Sequence, residues 1–173
     1  MKKPIAPMAF VPAMPLVLVA VKDEGKTNFA PFSMYGQLSH YPPLIYVSMA
    51  KGNLTAEIIG RTKQFSVNVP GTALLERIKL CGSISGREND KSQAFEVFYG
   101  ATEDVPMLLD CPVNLCCHLY DTLEFRDTFV YVGQVTDTFA DEGCLINDRP
   151  VAVLVDPLFC TNQGEFHRLG GKL

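Results

Sequence analysis

The sequence has no tryptophan, no Cys-x-x-Cys pair, no run of basic residues, and no apolar stretch near the ~18 uninterrupted residues a membrane span needs. Each absence excludes something. Without a basic run, and with a formal net charge of −4 and 20% charged residues, the chain lacks the electrostatic footprint of a DNA or RNA binder. No membrane-spanning segment is expected. Six cysteines are present (Cys81, Cys111, Cys116, Cys117, Cys144, Cys160), yet their spacing fits no metal framework. Cys116 and Cys117 are neighbours whose side chains point to opposite faces of a strand, and His118 beside them adds little. No metal site is expected. Lacking tryptophan, any aromatic platform has to come from phenylalanine or tyrosine.

What is present is mostly β-signal in 173 residues, a length that fits one domain with a real core. The N-terminal "KKPIAPMAFVPAMPLVLVAV" superficially resembles a signal peptide. Pro4, Pro7, Pro12 and Pro15 would break its apolar helix, and no small-x-small cleavage site precedes Lys22, so the expectation is a cytoplasmic protein with reduced thiols. "LVLVAV" (16–21) reads as a strand, "KDEGK" as a turn with Gly25 at its tip, and "TNFAPFSMYGQLS" as the strand returning. "PPLIYVSM" gives a third strand and "LTAEIIGRTKQ" a short helix. "FSVNVPG" is a strand in which Phe65, Val67 and Val69 alternate with Ser66 and Asn68. "TALLERIKLCG" reads as a second helix, with Thr72 as N-cap and Gly82 as stop. "SISGRENDKSQ" is a loop too polar for core. "PVNLCCHLYDTLEF" and "DTFVYVGQVTDTF" are two strands around a turn near Arg126, and "RPVAVLVDPLF" is the last strand. "EFHRLGGKL" is an irregular tail that has to pack on something. Meandering strand pairs with two short helices imply a closed or nearly closed β-barrel.

One stretch has more polar groups than a turn requires. In "YVSMAKGNLTAEII" (46–59) an apolar strand runs into Ser48, Lys51, Gly52, Asn53 and Thr55 before a helix begins. Asn53 or Thr55 as a helix cap is one account. A cluster holding an anion is the other.

Three segments then resemble the flavin reductase-like family of FMN-binding split barrels, flavoredoxins among them: "TNFAPFSMYGQLSHYPPLIYVSM", "CGSISGRENDK", and "CPVNLCCHLYDT" followed by "YVGQV". The resemblance runs over about residues 12–160, within a single domain of 1–173 whose residues 161–173 form the C-terminal tail. It implies a mainly β, Greek-key split barrel with a few short peripheral helices, holding FMN at the interface of a homodimer. By resemblance, the phosphate lies near Ser48, Met49, Ala50, Asn53 and Thr55 on one side and near Ser85 and Lys91 on the other. A phosphate monoester carries close to two negative charges, so amide N–H groups, hydroxyls and a cation are the groups required. Asn28 and Ser33 are expected at the ring edge or ribityl chain. Met34 or Tyr35 is expected against the ring, with stacking from Tyr35, Phe32 or Phe159.

The resemblance implies oxidoreductase chemistry carried by the flavin, with no acid–base triad from the protein. Many flavin reductases have Gly-Asp-His before a strand like "YVGQV", where this chain has Arg126, Asp127 and Thr128. That departure favours a flavoredoxin-like electron carrier working with a redox partner protein. Direct use of NAD(P)H and a cofactor-free binding module on the same barrel remain as alternatives.

Overall fold

In the computed structural model, which describes residues 1–170, seven strands form one continuous antiparallel sheet. They are β1 (Val17–Asp23), β2 (Lys26–Phe32), β3 (Tyr35–Ser39), β4 (Leu44–Ala50), β5 (Gln64–Val69), β6 (Val113–Glu124) and β7 (Thr128–Ala140). Their order is β2-β1-β5-β6-β7-β4-β3. The edge strands β2 and β3 are consecutive in the chain, separated only by Ser33 and Met34, so the sheet curls into a barrel split along one seam. Pro31, which has no N–H to offer a ladder, sits on the edge strand β2, where proline is tolerated.

Sequence explains the main turns and both cores. The β1–β2 turn places Glu24 (φ 47°) and Gly25 (φ 78°) in the left-handed region, as a tight hairpin requires. Val17 to Val21 are almost wholly buried, because β1 is covered on both faces. Inside the barrel Val17, Val19 and Val21 meet Val47, Met49, Phe65 and helix α1 (Leu54–Thr62) through Ile58 and Ile59. Outside it Leu18 and Ala20 meet Phe29, Phe95, Leu108 and helix α2 (Leu75–Ser83) through Ile78 and Cys81. A doubly covered strand reads as a continuous apolar run, which is what 16–21 shows.

Four local expectations are corrected. Ser66 and Asn68 do alternate with Phe65 and Val67, but they are buried too, under the segment that pairs Val97–Tyr99 with Pro106–Leu108. Ser66 donates to Pro106 O (2.5 Å), Asn68 donates to Leu18 O (3.0 Å), and Asn68 Oδ1 accepts from Leu108 N (3.0 Å) and Asn114 Nδ2 (2.8 Å). Thr72 caps nothing: it begins a 3-10 turn, Thr72–Leu74, and its hydroxyl donates to the Asp156 carboxylate. Gly82 lies inside α2 instead of ending it.

The fourth concerns the end of the chain. "RPVAVLVDPLF" is split into a two-residue strand (Arg149–Pro150), helix α3 (Ala152–Val155) and a short strand (Leu158–Cys160). Asp156 breaks the run in a left-handed conformation (φ 49°), and its carbonyl is held by Thr72 N at 3.0 Å. In the tail, Phe166–Arg168 forms a strand against Leu158–Cys160, so part of 161–173 is regular; residues 171–173 lie outside the described residues. No helix among the described residues is long and apolar enough to cross a membrane.

Candidate functional site

The polar stretch after β4 and the loop after α2 come together on one cavity of about 370 Å³, lined by Asn28, Gly52, Asn53, Thr55, Ser85, Gly86, Arg87 and Lys91 among others. Five residues expected from the sequence, Asn28, Asn53, Thr55, Ser85 and Lys91, therefore meet in one place. The helix cap is Asn53, not Thr55: Asn53 Oδ1 accepts from Thr55 N at 2.9 Å. Thr55 is fully buried, and its hydroxyl accepts from Asn28 Nδ2 at 2.9 Å. Asn28 is thus tied to the start of α1. Gly86 packs so closely on this pair that a Cβ there would lie 2.0 Å from Asn28 Oδ1.

Lys91 and Arg87 bring the cations, and they are held differently. Lys91 is only 6% exposed, although it sits in a loop read as too polar for core. Its ammonium donates to Cys81 O, near the end of α2, at 2.7 Å, a favourable position for a cation at a helix C-terminus. Burial lowers its pKa from the ordinary lysine value, and the nearby Cys81 opposes that shift. Arg87 is exposed and reaches from the loop to α1, donating to Gly52 O (3.2 Å) and to the Glu57 carboxylate. Sequence reasoning missed Arg87 as a site residue, though it is the one arginine in "SISGRENDK". Lys51 turns away, to Glu124 (2.5 Å) and over the Phe129 ring.

A second, larger cavity of about 640 Å³ adjoins the first. The two share Pro31 and Gly82 as walls. This chamber is apolar where the first is polar: Met14, Leu16, Met34, Ile78 and Phe166 line it, with Ser33 and Lys79 among its few polar groups. Gly82 packs tightly at the junction, where an added Cβ would lie 3.1 Å from Pro31 Cγ.

Residues 8–159 match the family described as the flavin reductase like domain. The chain belongs to this flavin reductase-like family. A flavoredoxin from Methanosarcina acetivorans is 32% identical, with a TM-score of 0.95 over 100% of this chain and 94% of that one. An FMN-binding protein from Thermus thermophilus, solved with p-hydroxybenzaldehyde bound, is 27% identical, with a TM-score of 0.85 over 100% and 95%. An uncharacterized protein of Pyrococcus abyssi is 26% identical over 57% of this chain and 57% of its own length.

As a flavin reductase-like protein the chain has to suit a flavin, and the donor set does. Hydroxyl, amide and guanidinium groups line one cavity, and an apolar chamber shares Pro31 and Gly82 with it. The remaining expected residues fall into three places. Ser33 and Met34 line the chamber. Phe32 and Tyr35 pack against the inner core, where burial, then Cys117, pushes the Tyr35 phenol up to about 12. Ser48, Met49 and Ala50 end β4; Met49 is fully buried, Ser48 N donates to Met34 O (2.8 Å) where the β3–β4 ladder begins, and Ala50 is exposed and pairs with Thr128. Phe159 pairs with Pro15 and His167, outside both cavities. Neither cavity is lined by Phe32, Tyr35, Ser48, Met49, Ala50 or Phe159.

Proposed function

We propose that the protein is an FMN-binding oxidoreductase of flavoredoxin type, with the phosphate end of FMN in the polar cavity and the ring passing over Pro31 toward the chamber. The observation that carries this reading is the pair of cavities of opposite polarity sharing Pro31 and Gly82. A bound flavin supplies the redox chemistry at its own ring; the chain binds and orients it. Arg87 is the exposed cation available to the phosphate, exchanging its contact with Glu57 for the anion. Lys91, fixed on Cys81 O, adds positive potential from the cavity wall. Asn28 holds α1 and the glycine loop together through Thr55 and Gly86, so its role is to shape the polar cavity. Ser33 and Met34 belong to the ring end.

The electron donor we favour is a redox protein, because Thr128 stands where many flavin reductases have histidine. A second copy of the chain is the natural cover for Tyr120, Leu123 and Phe125, which the β6–β7 hairpin leaves exposed. The deciding experiment is direct. The purified protein should be yellow, release FMN on denaturation, and rebind FMN after stripping. A colourless protein that cannot be reconstituted would support the cofactor-free binding module instead. Rapid anaerobic reduction by NADH or NADPH, on the order of 10 per second or faster, would establish the flavin reductase alternative.

A further inference from the structure

The larger cavity poses a separate question, because its walls recognise more than an apolar ring. At about 640 Å³ it lies near the middle of the range for small-molecule sites, about 300–1,000 Å³. One wall is the Phe166 ring, brought there by the strand Phe166–Arg168 and its pairing with Leu158–Cys160. That strand is anchored beyond the cavity, where Arg168 donates to Asp156 Oδ2 (2.6 Å) and Thr72 Oγ1 (2.9 Å). Leu16, Pro31 and Ile78 also line it. A phenyl ring among aliphatic walls favours a flat, apolar guest.

The charge of the lining is one-sided. Among the described residues Lys79 is its one charged residue, and none of those lining it is a carboxylate. The Lys79 ammonium lies 5.5 Å from the centre of the Phe166 ring, so cation and platform are adjacent. Its present partner is Glu76, at 2.8 Å, in a pair whose glutamate side chain is 82% exposed. An exposed pair of this kind is weak and exchangeable. A cationic guest would meet an unmatched lysine, and a neutral guest would leave it in water. An anionic guest gains a partner.

We propose that the chamber binds a small aromatic acid, its ring on Phe166 and its carboxylate at Lys79. The site is not built for a nicotinamide dinucleotide, because one lysine is too little for a pyrophosphate. The placement of this acid beside a flavin rests on the function proposed above; its binding to the chamber does not.

The test compares benzoate, benzyl alcohol and benzylamine. Isothermal calorimetry on flavin-free protein should show benzoate binding about tenfold tighter than benzyl alcohol, with benzylamine weakest. Lys79→Gln should abolish that preference, Lys79→Arg should retain it, and Phe166→Ala should weaken benzoate and benzyl alcohol alike. Lys79 is on the surface, so unchanged thermal melting is expected for both Lys79 variants. Equal binding of the three compounds, or a benzoate preference that survives Lys79→Gln, would overturn the proposal. On FMN-loaded protein benzoate should also shift the flavin absorption. A preference in calorimetry without that shift would uphold the chamber as an acid site and refute its place beside the ring. A protein that binds no flavin would defeat the function proposed above and leave the calorimetric result to decide this one.

Discussion

The two cavities share two wall residues and almost nothing else. The polar one is built from side chains already held: Asn28 on Thr55, Asn53 on the helix start, Lys91 on Cys81 O. The apolar one is assembled from segments far apart in the chain, Met14 and Leu16 near one end and Thr161 to Phe166 near the other. A phosphate needs donors fixed in advance, because each unpaired group left in a closed site costs about 1–3 kcal/mol. An apolar guest makes no such demand, so its walls can come from wherever the chain passes.

The largest effect should follow from filling the junction. Gly82→Val places a branched side chain where even a Cβ lies 3.1 Å from Pro31. FMN and riboflavin should both lose about a hundredfold or more in affinity, while inorganic phosphate, which needs only the polar cavity, should bind as before. Retained riboflavin binding would break the idea of one ligand bridging both cavities. Next comes Arg87→Ala, which should weaken FMN by about tenfold to a hundredfold and leave riboflavin nearly unchanged, a difference that shrinks as salt rises. Titration of each variant with both flavins checks this. Equal losses would mean that the phosphate is held elsewhere.

A third effect is smaller and belongs to the inner core, away from both cavities. The Tyr35 phenol is raised from 10.0 to about 12 in the folded chain. A raised pKa contributes stability that is full below the unfolded value and is lost as pH climbs through the folded one. Tyr35→Phe should therefore lose less stability than the parent between pH 10 and 12, as read by urea unfolding at each pH. Smallest is Asn53→Ala, which removes a cap and should lower stability by about 1 kcal/mol, with FMN affected more than riboflavin.

Much of this architecture was legible in the residues. The apolar run and turn of 16–32 gave two strands and their hairpin, but "TNFAPFSMYGQLS", read as one strand, is two, broken at Ser33 and Met34 and placed at opposite edges of the sheet. "YVSMAKGNLTAEII" gave the Asn53 cap and, in Gly52, Asn53 and Thr55, part of the polar cavity's lining. Composition misled at Lys91 and Asn68. Polarity along a chain does not say whether a partner carbonyl waits in the fold, and here Cys81 O and Leu18 O do. "RPVAVLVDPLF" failed for a different reason: a short apolar run suits a strand or a buried helix equally, and contacts with Thr72 and Gly71, some eighty residues earlier, decided the outcome. Arg87 was overlooked because a charged loop residue looks the same in sequence whether it faces water or spans to Glu57.

The open seam between β2 and β3 has a consequence for how such a protein changes partners over time. Had these edges zipped together, the backbone there would be committed to itself. Left apart and joined through Ser33 and Met34, each edge keeps one side of its backbone outside the seven-strand ladder. Backbone pairing depends little on side-chain identity, so a strand added at such an edge would tolerate substitutions that the cavity linings would not.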